Sequence, residues 1–418
     1  MFGCHWHYGA GKPCQCNPEC LTYGNCCADY TSHCQWQSGS WPATHSQPTQ
    51  PLPNDGGEAP GPSSEDSSST AAPSPPQSSS SSSQGEASVP SKHGAYKLDW
   101  AAQGHSFFDG WTFLNEDVNH GSAEYLSREP AVQAGVVAAH ATHAIVRAGE
   151  ASPQYKYKRQ SARIQSNKAW KTFLVTMDYT HVPYGCGVWP AFFTLAPDAP
   201  WPNGGEIDIL EYVNMEQSKS SVHMGPGCTL NKDKVNKYGG MPDRNDMNYN
   251  CLTNYPDNLG CAPNKWMRTG QQWAEHPGVV ALEWTEDFLK MFWIPKWEIP
   301  HDLTSDHPDT STWDRWVYSY YPMKESGCSP DSIKPQKLLM QIGFCGDWAG
   351  KTWSLDNNRQ CQAKAQNCRA VDPLAEYAPQ EDCCTQFIWD HDKSHGTDKY
   401  LHERAFFNIT YLKVYTKR

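Results

Sequence analysis

The chain has no apolar run approaching the roughly 18 residues that a membrane-crossing helix requires. It is also short of positive charge: 34 Lys and Arg stand against 45 Asp and Glu, a formal net charge of −11. Nucleic acid and anionic membrane both reward a basic surface, so neither is an expected partner. The opening Met1-Phe2-Gly3-Cys4 lacks the apolar centre of a secretion leader. Helical periodicity is sparse, and the cysteine-rich opening segment lacks the paired C-x-x-C knuckles of a structural zinc site.

Cysteine itself is plentiful. Seven of the 17 lie in the first 34 residues and ten between Cys186 and Cys384. Such density points to an oxidising compartment and to disulfides, hence to a secreted chain whose leader is expected to have been removed or not to be included in this sequence. The sequon Asn408-Ile409-Thr410 agrees with that. Residues 1–34 are too few to bury a competent core, so covalent staples must replace one, and the adjacent Cys26-Cys27 favours a disulfide knot over a zinc cluster. Residues 35–94 are rich in Ser and Pro and nearly free of apolar side chains, which predicts a disordered tether. Residues 95–418 form the body. In "KTFLVTMDYT" Phe173, Val175, Met177 and Tyr179 alternate onto one face, and "GVVALEW" and "FFNITYLKVYTK" are rich in β-branched and aromatic residues. Turn residues punctuate these runs, predicting an all-β sandwich of antiparallel sheets, with a barrel as the competing form.

Within that body, "NGGEIDILEYVN" sets Glu206, Asp208 and Glu211 in an otherwise apolar strand. Glu206 and Asp208 share a face, whereas Glu211, five residues from Glu206, falls on the other side of a regular strand. One extra residue at about Ile209–Leu210, a β-bulge, returns it to the acid face. Three acids there are either a solvated surface or the lining of a reactive cleft. A pair of carboxyls about 5–5.5 Å apart is the apparatus of retaining glycoside hydrolysis. Close carboxylates cannot all ionise freely, and the expectation is that Glu211 holds its proton while Glu206 stays ionised.

The ordered motifs "YGCGVWPAFF", "WPNGGEIDILEYVN", "SVHMGPGC" and "CGDWAG", with "FFDGWTF", "DVNHGSAEY" and "NITYLKVY", resemble glycoside hydrolase family 16, in its laminarinase branch of endo-β-1,3(4)-glucanases. The resemblance covers nearly all of residues 95–418. It implies a β-jelly-roll with substrate across the concave sheet, and retention without metal or cofactor. By it, Glu206 is the nucleophile, Glu211 the acid/base, Asp208 the acid that hydrogen-bonds to and tunes the nucleophile, and His223 a supporting residue. Trp189, Trp201 and Trp348 match sugar-stacking positions, and Asn119 a substrate-side loop. Cys186 and Cys345, in two motifs beside the cleft, are expected to pair. The chain departs from the family in carrying Tyr212, where Gly usually follows the acid/base, and Glu124, where Asn is common. Tyr212 is expected to point to the far side of the sheet.

"CQCNPEC" and "NCCADYTSHC" resemble the somatomedin B domain, an eight-cysteine module whose first cysteine would fall before Met1. That implies a protein or cell-surface partner for residues 1–34. The expected activity is hydrolysis of internal β-1,3 bonds in laminarin-like glucan, or of mixed β-1,3/1,4 glucan, by a monomer. A transglycosylase and a non-catalytic glucan-binding protein are the alternatives.

Overall fold

The computed structural model of the chain describes residues 96–238, 249–254, 258–263, 268–353, 359–362, 368, 382–390 and 399–417. The expected knot at 1–34 and tether at 35–94 lie outside the described residues. Sixteen strands appear among those described: β1 (Tyr96–Gln103), β2 (Trp111–Leu114), β3 (Ala123–Tyr125), β4 (Val137–Ala139), β5 (Ala144–Arg147), β6 (Arg159–Ser161), β7 (Arg163–Ser166) and β8 (Leu174–His181). There follow β9 (Val188–Leu195), β10 (Glu206–Glu211), β11 (Val222–His223), β12 (Gly278–Trp284), β13 (Leu289–Pro295), β14 (Val317–Tyr321), β15 (Lys337–Phe344) and β16 (Phe406–Lys417). Their helices are short, the longest being the eight residues Cys383–Asp390, and none is long and apolar enough to cross a membrane.

Two antiparallel sheets stack face to face. One runs β14-β13-β12-β8-β16-β5-β4 with β1 also on β16; the other runs β11-β10-β9-β15-β7-β2. A small parallel pair, β3 and β6, stands apart. The core lies between the sheets, where Phe173, Val175, Met177 and Tyr179 meet Phe192, Met340 and Ile342 of the six-stranded sheet. The alternation in the sequence is thus satisfied by a sandwich, not a barrel. In β12 even the residues facing away from that core are buried. Val279 and Ala281 pack into a second cluster with Leu303, Trp313 and Trp316, which explains the unbroken apolar run.

All ten cysteines of the body are paired, as Cys186–Cys361, Cys228–Cys328, Cys251–Cys261, Cys345–Cys384 and Cys368–Cys383. The expected Cys186–Cys345 bridge is therefore wrong, although both residues do flank the cleft. Each reaches instead to the C-terminal region, Cys186 to Cys361 and Cys345 to the helix formed by "CCTQFIWD". Ile388 of that helix closes on Gly187, where an added Cβ would meet the isoleucine side chain at 2.7 Å. The sequon residue Asn408 lies half-buried within β16, between β5 and β8.

Candidate active site

The outward face of the six-stranded sheet is floored by an apolar strip of Ala191, Phe193 and Leu339, with Leu114 and Leu195 against it. Strand register sets the acids on this floor in rows. Glu211 heads a row continued by Ala191, Gln341, Arg163 and Leu114, and Asp208 one continued by Phe193, Leu339, Gln165 and Thr112. Glu206 lies beside Leu195.

The bulge is where the odd spacing requires it. Asp208 pairs with Phe193 and Leu210 with Phe192, which leaves Ile209 without a partner. The extra residue turns Glu211 to the cleft, where its Oε1 accepts from Trp189 Nε1 at 2.8 Å. Glu206 Oε2 accepts from Trp201 Nε1. Two of the three expected tryptophans therefore bond directly to the two glutamates. Trp348 stands edge-on to Trp189, ring centres 5.7 Å apart. Trp201 is 45% exposed, its ring centre 6.0 Å from that of His223.

Asp208, between the glutamates, is only 2% exposed. Its Oδ2 accepts from Ser221 Oγ at 2.7 Å and lies 3.1 Å from His223 Nε2. The expected hydrogen bond from Asp208 to the nucleophile is not formed. Asp208 Oδ1 is buried with no partner. His223 pairs across the sheet with Glu206, and its Nδ1 lies 3.1 Å from Thr253 Oγ1. Thr253 reaches it from a segment closed by Cys251–Cys261, whose backbone pairs with Val222. Gly260 allows that approach. It sits at φ +60°, and a Cβ there would meet the Val222 carbonyl at 2.5 Å.

Charge is crowded here. Burial, then the charge of Asp208, pushes Glu206 up to about 7, with His223 and the Trp201 bond opposing. Glu211 is also driven well up, by burial and by Asp208, against the Trp189 bond. Burial works to discharge His223, but its bond to Asp208 and the surrounding acids outweigh that and raise it to about 9. Both glutamates are thus raised, Glu211 as well as Glu206. The expectation singled out Glu211 alone, but burial and Asp208 raise Glu206 as well.

Asn119 enters the site by its backbone. Its carbonyl accepts from Asp347 N at 3.0 Å, docking the "DVNHG" loop on the turn that presents Trp348. Gly346 makes room, since a Cβ there would lie 2.2 Å from Asn119 O. Tyr212 is buried on the far side, its hydroxyl bonded to Pro183 O at 2.6 Å. Sequence reasoning missed three residues. Ser221 was within reach, two positions before His223 on the same face. Arg163, whose charge favours ionised Glu206, and Thr253 lie far along the chain and had no local signal. Among the described residues no three His, Cys, Asp or Glu side chains gather as a metal site.

Two antiparallel sheets with a bulged acid triad on one face define a carbohydrate-active jelly-roll. Comparison agrees: residues 111–378 match the family model described as the XgeA-like catalytic GH16 domain, and residues 2–37 match the somatomedin B domain. The chain belongs to glycoside hydrolase family 16. It is 34% identical over 280 residues to a probable glycosidase of Schizosaccharomyces pombe, covering 63% of this chain and 64% of that protein. It is 31% identical over 266 residues to the endo-1,3(4)-beta-glucanase xgeA of Emericella nidulans, covering 61% and 40%. The chain thus spans less than two thirds of the length of these curated relatives. Among solved structures, laminarinase 16A of Phanerochaete chrysosporium superposes with a TM-score of 0.60 at 24% identity, covering 77% of this chain and 99% of that one. At that identity the likeness speaks for the fold. An elongating family 16 beta-1,3-glucosyltransferase gives 0.60 at 27%, covering 77% and 100%.

Proposed function

We propose that the chain is an extracellular, retaining endo-β-glucanase acting on internal β-1,3 bonds of laminarin-like glucans, and on mixed β-1,3/1,4 glucan. The observation that carries the reading is the Ile209 bulge, which sets Glu206 and Glu211 on one face of a tryptophan-walled cleft. Glu206 attacks the anomeric carbon as Glu211 protonates the departing oxygen; Glu211 then takes a proton from water, which releases the sugar from Glu206. Asp208 and His223 hold the charges of the pair apart. Trp201 and Trp348 offer ring faces to sugar C–H groups, and Asn119 braces the loop beside them. Residues 95–418 are the catalytic domain, behind a somatomedin B-like module at 1–34 with a protein or cell-surface partner and a Ser/Pro-rich spacer at 35–94.

The test is laminarin digestion followed by NMR. First-formed reducing ends are expected as the β-anomer, and α-anomer product excludes double displacement. Glu206→Gln is expected to lower kcat by about 10³-fold or more with the fold intact; turnover at the wild-type rate removes the assignment. Transfer to sugar instead of water is a second reading, favoured by the glucosyltransferase likeness. Oligosaccharides longer than the starting substrate would select it. A non-catalytic binder is disfavoured by the intact triad.

A further inference from the structure

The acid-bearing strand is held by a contact that crosses the sandwich. Where Ile209 lacks a ladder partner, its carbonyl oxygen accepts from Tyr318 Oη at 2.6 Å and from Ser220 Oγ at 3.1 Å. Tyr318 belongs to β14, the edge strand of the opposite sheet. That strand has a bulge of its own. Met291 pairs with Ser319 and Phe292 with Val317, so the register shifts across Tyr318. Tyr318 and Tyr321, three residues apart, both enter the main core, whereas Val317 and Tyr320 pack in the cluster on the other face. A regular strand sends residues three apart to opposite faces. β10 shows the same oddity, with Glu206 and Glu211 sharing a face across an extra residue. Two bulges on opposed sheets thus meet through one short hydroxyl–carbonyl bond. Tyr321 Oη donates to Ser220 O at 2.6 Å and so fixes the serine that supplies the second donor.

These groups are deep, Tyr318 2% and Ser220 4% exposed. A carbonyl displaced from its ladder and buried is costly unless a donor meets it, so the bulge depends on what meets Ile209. We infer that Tyr318, with Ser220 beside it, is a positioning residue that holds the Ile209 bulge and thereby the shared orientation of Glu206 and Glu211. The inference rests on reading those glutamates as the catalytic pair. Without the hydroxyl, β10 relaxes towards regular pairing and Glu211 leaves its place opposite Glu206. Displacements of an ångström cost catalysis heavily. The rings of Trp201 and Trp348 belong to other segments, so substrate binding is spared.

The experiment compares Tyr318→Phe with Tyr179→Phe in the full chain. Tyr179 is also buried and donates its hydroxyl to a backbone carbonyl, His276 O, at 2.9 Å. Both variants lower the melting temperature by losing such a bond. Tyr318→Phe is expected to cut kcat on laminarin by about tenfold or more, with KM within about twofold. Its basic pH limb moves to lower pH as Glu211 leaves its buried seat. Tyr179→Phe keeps both kcat and profile. Equal kcat in the two variants, or an unmoved profile in Tyr318→Phe, overturns the inference. If Tyr318→Phe does not fold, Ser220→Ala gives a smaller shift of the same sign, and no shift overturns it. A wild-type chain inert on every β-glucan tried would sink the parent reading separately. Crystal structures of wild type and variant then decide: an unchanged Ile209 bulge rejects the clamp, and a regularised strand supports it.

Discussion

Acidic side chains are buried in both sheets of the sandwich, but their surroundings differ. In the eight-stranded sheet, both oxygens of Asp178 on β8 accept from Lys296 Nζ, at 2.6 and 2.7 Å. Burial pushes the Asp178 carboxyl up, and the ammonium pulls it back. Glu283 on β12 accepts from Tyr96 Oη and Thr310 Oγ1, each at 2.8 Å. In the six-stranded sheet three acids share one imidazole, two indole N–H groups and a serine hydroxyl. Among the described residues no Lys or Arg forms an ion pair with Glu206, Asp208 or Glu211. Buried carboxylates placed for stability are given cations or donors. Glu206 and Glu211, buried beside Asp208 without a cation of their own, are both raised, the condition that acid–base chemistry needs.

The sharpest way to break this contrast is to neutralise one acid in each sheet. Asp208→Asn removes the charge that raises both glutamates, so Glu211 loses its proton at lower pH. The expected result is a kcat at pH 7 lower by about 10- to 100-fold, with the basic limb shifted to lower pH. Asp178→Asn is expected to leave kcat within about twofold and to cost roughly 1–3 kcal/mol in urea denaturation, towards the low end because Lys296 stays hydrated. Similar kcat losses in both variants would erase the distinction. Next in size is Trp201→Phe. Burial and Asp208 hold Glu206 up and the indole bond holds it down, so losing the bond makes Glu206 harder to ionise. The acid limb of kcat/KM is expected to move to higher pH, with kcat at its optimum down by about threefold to tenfold. A shift to lower pH would show that the indole does not stabilise the ionised form.

How much of this was readable beforehand depends on distance along the chain. The bulge near Ile209 follows from three letters at an odd spacing, since side-chain period two leaves one way to gather them. The sandwich follows from the alternation in "KTFLVTMDYT". What was missed lies in contacts between distant segments. Thr253 reaches His223 only through the Cys251–Cys261 closure, and Tyr318 is 109 residues from the carbonyl it meets. Disulfide partners depend on the same long-range geometry, which is why Cys186 and Cys345 went to Cys361 and Cys384. The rise at Glu206 was not foreseen for another reason. The sequence puts Asp208 beside it but does not say how deeply Glu206 is buried next to that acid.

That arrangement has a consequence for stability, the smallest of the expected effects. His223 rises from its ordinary value to about 9 in the folded protein, so its contribution is complete below about pH 6.5 and lost as pH passes 9. Glu206 is also raised, to about 7, so its protonated form stabilises the fold below about pH 4.5 and that contribution disappears as pH passes 7. Both act in one direction, and the melting temperature is expected to fall as pH rises from 4.5 to 9. Glu206→Gln removes one titrating group, so the variant should keep the loss between pH 7 and 9 and lessen the one below it, where raised Glu211 still contributes. Asp178→Asn, which touches neither group, should leave the slope between pH 7 and 9 as in the wild type. A wild-type melting temperature that climbs through this window would mean that the inner acids are ionised in the fold more readily than in the unfolded chain. The opposition between the two sheets would then be lost.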